Sequence, residues 1–192
     1  FALGLLNPTN ERGNIETLNH LSFKMHKEMI DTIQQESGVD AQVLSVPHLE
    51  LALDESEIAE LKSEAERING FDQFKSTWLE PSEIYAMEPR ITSDNYGGTL
   101  VEDVIILDSY NLTLATAQAA ESRGVEIVLG EATGVIYDGD RAVGVNVAGG
   151  RIDCDAVVLA LGPWSGTASL WTDIDIPVVP QKGEIVRVEG LN

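Results

Sequence analysis

One cysteine, few basic residues and no long apolar run set the first limits on this 192-residue chain. Cys154 stands alone, so neither a disulfide framework nor a cysteine-based metal site can be assembled. It sits in an apolar, strand-like run, where a single thiol reads as a small buried hydrophobe. The histidines, His20, His26 and His48, all lie early in the chain. No two of them have the i, i+4 spacing that brings imidazoles onto one helix face, and no metal site is expected. No apolar stretch reaches the roughly 18–20 residues needed to span a bilayer, and no basic, apolar leader is visible. The expectation is therefore a cytoplasmic protein without a membrane span. Twelve Lys+Arg stand against 32 Asp+Glu, a formal net charge of −20. Such a surface repels phosphate backbones, which argues against a nucleic-acid partner. It favours solubility and fits a salt-tolerant source or a plain acidic cytosolic surface equally.

What the chain does have is ordinary for a globular protein: 43% hydrophobic and 23% charged residues, enough for one substantial core or two small ones. Residues 1–10 are small, apolar and turn-rich, and read as a loop. Ile15, Leu18, Leu21, Ser22, Met25, Met29 and Ile33 trace one face of a helix that Gly38 stops. His48–Leu53 reads as a strand. Asp54 and Glu57 form a capping-box start for a helix whose buried face is Ile58, Leu61, Ala65 and Ile68. A short helix follows Pro81 and closes before Pro89. Gly98–Leu107 reads as a strand or hairpin arm. Asp108 caps the next helix, with Leu112, Ala115, Ala119 and Ala120 inward and Gly124 at its end.

Val125–Leu129 follows as a strand. The runs 132–137 and 142–147 pair as a hairpin across Asp138-Gly139-Asp140. Gly149-Gly150 turns the chain into Arg151–Asp153, and Cys154–Leu161 reads as a strand buried on both faces. Ile174–Glu189 supplies two more strands around Gln181-Lys182-Gly183. The fold class is therefore mixed α/β.

Asp155-Ala-Val-Val-Leu-Ala-Leu-Gly-Pro-Trp-Ser165 carries the most chemistry. A buried strand ends in Ala160-Leu161-Gly162, where missing side-chain bulk lets a ligand approach the backbone. A helix begins near Pro163-Trp164-Ser165. A strand, a glycine turn and a helix N-terminus suit a dinucleotide pyrophosphate or a flavin, because unpaired N–H groups point at the ligand.

The order of helix, strand, meander, buried strand and Ala-x-Gly-x-Trp-Ser resembles the FAD-dependent D-amino acid oxidase family, in its glycine oxidase and sarcosine oxidase branch. Gly4-Leu-Leu-Asn-Pro8 resembles the loop near the isoalloxazine. Trp78-Leu-Glu-Pro and Met87-Glu-Pro89 resemble the segment before the substrate sheet. Leu107-Asp-Ser-Tyr-Asn-Leu112 resembles Val-Asp-Pro-x-x-Leu, with Ser109 in the place of the frequent proline. Ile176–Glu184 resembles a Pro-x-x-Gly-Gln/Glu turn. Leu161-Gly162-Pro163 replaces the usual Ala-Gly-Ala/Val, which main-chain contacts tolerate.

The resemblance implies FAD as cofactor. Ala132 would sit at the adenine, with Ala160, Leu161, Gly162 and Trp164 along the pyrophosphate and ribityl side and Gly4 and Leu5 near the flavin. Tyr85, Arg90 and Tyr96 are candidate substrate contacts, Arg90 for a carboxylate. It implies a flavin-binding part, residues 1–38 and 103–173, and an antiparallel-sheet substrate part, residues 39–102 and 174–192. The chain reads as an internal piece. The Gly-x-Gly-x-x-Gly opening is expected before Phe1, and the main substrate arginine and the last flavin loop after Asn192. Family members attach FAD through a cysteine outside this region, and Cys154 does not match it.

The implied reaction oxidises the C–N bond of a small amino acid or amine. It needs alignment over the flavin rather than a catalytic triad, and no residue is singled out as catalytic. A hydroxyacid or glycerol-phosphate dehydrogenase of the same architecture is a second reading. A cofactor-free α/β domain that binds a ligand or partner is a third, and a homo-oligomer is open in each.

Overall fold

The computed structural model describes residues 4–7, 13–71, 74–184 and 186, in two compact units, Phe1–Val125 and Glu126–Asn192. The first holds strands β1 (Leu5–Leu6), β2 (Leu44–Leu51), β3 (Ser76–Leu79) and β4 (Gly98–Ile106). Its helices are α1 (Glu16–Ser37), α2 (Ile58–Ile68), α3 (Pro81–Met87) and α4 (Ser109–Ser122). All four strands meet at β4 and all pairings are antiparallel. β2 runs along one side of β4, while β3 pairs with Gly98–Val101 and β1 with Ile105–Ile106 on the other. The expected loop at the start thus contains a short strand; Phe1–Leu3 and residues 8–10 of that loop lie outside the described residues.

Local sequence explains the element ends. Gly38 closes α1 at φ 71°, donating its N–H to the Gln34 carbonyl at 2.9 Å, a left-handed stop that glycine adopts without a Cβ penalty. Asp54 accepts from Ser56 N–H while Glu57 reaches back to the Asp54 N–H, completing the expected capping box ahead of α2. Pro81 opens α3 where its missing N–H costs nothing, and Asp108 Oδ1 caps α4 through Asn111 N–H at 2.9 Å. Leu61, Ala65 and Ile68 are buried on α2 as expected, and Ala115 and Ala119 on α4.

The core joins Phe23, Ile68, Phe74, Val101, Val104 and Ile105. Each fully buried side chain of this size contributes roughly 1.5–3 kcal/mol. The apolar stripe traced along α1 is not the face that packs. Leu18, Leu21, Met25 and Met29 are exposed, and His20, Phe23 and Ile30 are buried instead. The helix carries two apolar faces, and the aromatic one packs. His20 meets the Phe71 ring edge-on at 3.8 Å and Phe74 at 5.2 Å, and Phe23 meets Phe74 at 5.3 Å. Rings bury more area per residue than the aliphatic stripe and add their own contact energy.

β4 carries one irregularity. Val46 pairs with Val104 and His48 with Val101, so Pro47 alone faces Glu102 and Asp103. This is a bulge, with Asp103 at φ 62° and its Oδ1 accepting from Ser45 Oγ at 3.1 Å. Pro47, which has no N–H for the ladder, falls opposite the bulge, where pairing is interrupted.

In the second unit, β5 (Ala132–Asp138), β6 (Arg141–Val147) and β7 (Gly150–Asp153) form the expected meander. Its turns pass through Gly139 at φ 59° and Gly149 at φ 91°. A 3-10 turn, Gly162–Ala168, leads into α5 (Ser169–Thr172). Two expected strands are absent. Residues 125–129 and 154–161 make no ladder, and Leu129 is 97% and Val158 89% exposed. Their apolar, β-branched composition has strand propensity, but a strand exists only through a partner's hydrogen bonds, and no described strand runs beside either. The described residues of the expected Ile174–Glu189 pair, 174–184 and 186, also form no strand; the remainder lie outside the described residues.

Candidate functional site

In the first unit, the expected cofactor residues Gly4 and Leu5 form a corner with the β4–α4 connection. Leu5 pairs with Ile106, and Leu107 N–H donates to the Gly4 carbonyl at 2.8 Å. Gly4 has φ 75°, and a Cβ there would overlap the Leu107 carbonyl oxygen. Glycine is required here by the approach of Leu107, independently of any ligand. Asp108 N–H donates to the Ala41 carbonyl at 2.8 Å, and Asn111 Nδ2 to the Asp40 carbonyl at 3.1 Å. Gln42, at φ 52°, donates its N–H to Asp40 Oδ1 at 2.8 Å. These bonds fold residues 40–42 against 107–111 and open a groove of about 720 Å³ floored by Leu5, Val43, Leu44, Ile106 and Leu107.

A second cavity of about 320 Å³ lies between α2 and the sheet, where His48, Glu50, Glu57, Glu60 and Glu64 face Leu61, Ile68 and Val101. Among the described residues, no group of three or more His, Cys, Asp or Glu is arranged to hold a metal.

Tyr85, Arg90 and Tyr96 line neither cavity. Tyr85 is 55% and Tyr96 46% exposed. Arg90 donates through Nε and Nη2 to the two Glu88 oxygens, at 2.8 and 2.6 Å. These hydrogen bonds hold the Glu88 carboxyl down to about 2 and push the Arg90 guanidinium up. The Arg90 fork is thus filled by a carboxylate two residues away.

In the second unit, Ala132 begins β5, an edge strand, opposite Val147. Ala160 and Gly162 are exposed and Leu161 is half-buried. Gly162 turns at φ 55° with open space where a Cβ would stand. The Trp164 main-chain N–H donates to the Leu161 carbonyl at 3.1 Å, and the residue is 66% exposed. Unlike Gly4, Gly162 answers no packing demand within its own unit. An open main-chain turn with small side chains fits a cofactor that lies along the backbone. The groove residues Asp40, Gln42 and Asp108 escaped the sequence reading as site residues. Asp108 was visible only as a helix cap, and nothing in the sequence marks Gln42 as left-handed.

The fold recurs in other solved structures. The structure of glycine oxidase from Geobacillus kaustophilus superposes with a TM-score of 0.84 at 22% identity, over 93% of this chain and 49% of that one. L-amino acid deaminase from Proteus vulgaris superposes with a TM-score of 0.76 at 22% identity, over 92% and 41%. The DAO family profile, FAD dependent oxidoreductase, matches residues 2–192, and the chain belongs to that family. In sequence, it is 26% identical to glycine oxidase of Bacillus subtilis over 87% of its length and 44% of the relative's. It is 31% identical to hydrogen cyanide synthase subunit HcnC of Pseudomonas protegens over 59% and 28%. The chain thus spans less than half the length of these curated relatives.

Proposed function

We propose that this chain serves an FAD-dependent oxidoreductase that oxidises the C–N bond of a small amino acid or amine to an imine. The observation that carries this reading is the family match along residues 2–192. The names of the glycine oxidase and amino acid deaminase relatives support the substrate class. FAD, when bound, supplies the hydride acceptor. The main chain at Ala160-Leu161-Gly162 would hold its polar part, with Ala132 and Trp164 as further candidates in the second unit and Gly4 and Leu5 as candidates in the first. Tyr85, Arg90 and Tyr96 are the substrate-side candidates, and Glu88 must yield before Arg90 can take a substrate carboxylate.

On this reading residues 1–38 and 103–173 serve the flavin and residues 39–102 and 174–192 the substrate. β1 pairs with the end of β4, and β4 pairs with β2, so the two parts join inside one sheet. The test is the visible spectrum of the full-length protein that contains these residues, followed by anaerobic titration with glycine, sarcosine and D-alanine. Flavin bands that bleach with one of these amines are expected. A protein that stays colourless and takes up no FAD overturns the reading, and bands that bleach only with a hydroxyacid move it to alcohol oxidation.

A further inference from the structure

Within the second unit, the 3-10 turn Gly162–Ala168 is bare at its start and braced toward its end. Gly162 has open space where a Cβ would stand, and Trp164 is 66% exposed. Further on, the chain doubles back. Asp173, at φ 53°, ends α5 in the left-handed region, and residues 176–178 return to the turn. Ile176 N–H donates to Ser169 Oγ at 2.9 Å. Gly166 lies so close to this returning segment that a Cβ would overlap the Val178 carbonyl oxygen and stand 3.4 Å from that of Ile176. Its φ is not left-handed, so the approach of Val178, rather than its own backbone angle, calls for glycine. Two side-chain bonds stiffen the same piece. Ser165 Oγ donates to the Gly162 carbonyl at 2.7 Å and Thr172 Oγ1 to that of Ala168 at 2.9 Å. Ala168 between them is fully buried.

We propose that Gly166 and Ser169 are positioning residues for the cofactor. They seat the 176–178 main chain against the turn and so fix where Ala160-Leu161-Gly162 presents its backbone. The proposal rests on the flavoenzyme reading above. A site that holds its ligand through main chain has no side chain to readjust, so it depends on a backbone kept still to within about 0.5 Å. Gly162 has no close neighbour to do this. The brace one turn further along supplies it. Alanine at 166 forces the turn or the returning segment to move, whereas alanine at 169 removes one hydrogen bond.

The experiment compares the full-length protein that contains these residues with its Gly166→Ala, Ser169→Ala and Ser169→Thr variants. FAD affinity is read from the fluorescence that flavin regains on release, well below the melting temperature of each FAD-free protein. Lost stability alone leaves that reading unchanged. Gly166→Ala should weaken FAD about tenfold or more, as overpacking against backbone does. Ser169→Ala should weaken it about fivefold, and Ser169→Thr, which keeps the hydroxyl, should restore it. Gly97→Ala, whose clash lies in the first unit, is the control. It should lower the melting temperature and leave FAD affinity as it was.

FAD bound as tightly by Gly166→Ala and Ser169→Ala as by the parent overturns the proposal. So does a Ser169→Thr variant as weak as the alanine, or an equal loss of affinity in Gly97→Ala. A parent protein that takes up no FAD sinks the flavoenzyme reading and this inference with it. A parent that binds FAD and bleaches with an amine, beside variants that bind FAD equally well, sinks this inference alone.

Discussion

The first unit gathers Phe23, Ile68, Phe74, Val101, Val104 and Ile105 into one cluster, whereas the second leaves Leu129, Val158 and Leu170 between 85% and 97% exposed. Both units hold abundant apolar, β-branched residues. They differ in whether the elements that those residues need are present beside them. A helix satisfies its own backbone, and a hairpin closes across its turn. A strand destined for a two-sided, buried position depends on neighbours distant in sequence.

The sharpest way to break this comparison is to cut a β-branched side chain to alanine on each side. Ile68→Ala, at a site 2% exposed, should cost about 2–5 kcal/mol in urea unfolding. Val158→Ala, at a site 89% exposed, should cost less than about 0.5 kcal/mol. A comparable loss at Val158 would show that the second unit has a core that the structure does not display.

Glycines give a finer cut. Gly97 lies at φ 111°, and a Cβ would meet the Trp78 ring and stand 2.8 Å from the Leu79 carbonyl oxygen. Gly149 lies at φ 91° with nothing near. Gly97→Ala therefore adds a backbone clash to the conformational cost and should lower the melting temperature well beyond Gly149→Ala, whose cost is about 1 kcal/mol of backbone preference alone. Equal effects would mean that Trp78 moves aside freely.

The smallest effect is electrostatic. Glu88 is held near 2 by its hydrogen bonds from Arg90, below the ordinary carboxylate value of 4.5. Because the folded value is the lower one, its contribution is complete above about 4.5 and disappears as the pH falls toward 2. A carbon-detected NMR titration should place the Glu88 midpoint near 2, and Arg90→Met should return it toward 4.5. A midpoint already ordinary in the parent protein would show that the exposed pair is not populated in solution.

Elements with a local signature were readable from the sequence. Asp54 with Glu57, Pro81, Asp108 and Asp138-Gly139-Asp140 each marked a boundary through side-chain or turn chemistry acting within a few residues. On α1, periodicity reports that a stripe exists and says nothing about which of two stripes meets Phe71 and Phe74. Strands 125–129 and 154–161 were misread for the converse reason: composition reports a preference whose fulfilment lies elsewhere. At the candidate site, the glycine turn at Gly162 was legible. The groove was not, because Asp40, Gln42 and Asp108 converge only through hydrogen bonds between segments far apart in the chain.

The bulge in β4 bears on how this strand tolerates a change of length. Val101 and Val104 both enter the core although they stand three residues apart, a spacing that breaks strict alternation. Glu102 and Asp103 together occupy one pleat, so the strand is one residue longer than its inward pattern requires. Removing Asp103 would leave every apolar side chain on the face it now occupies, at the loss of the Ser45 contact. Removing Thr99 or Val101 would invert the faces of the residues on one side of the gap. A single strand thus contains one position where a deletion is silent to the core, set among neighbours where it would scramble it.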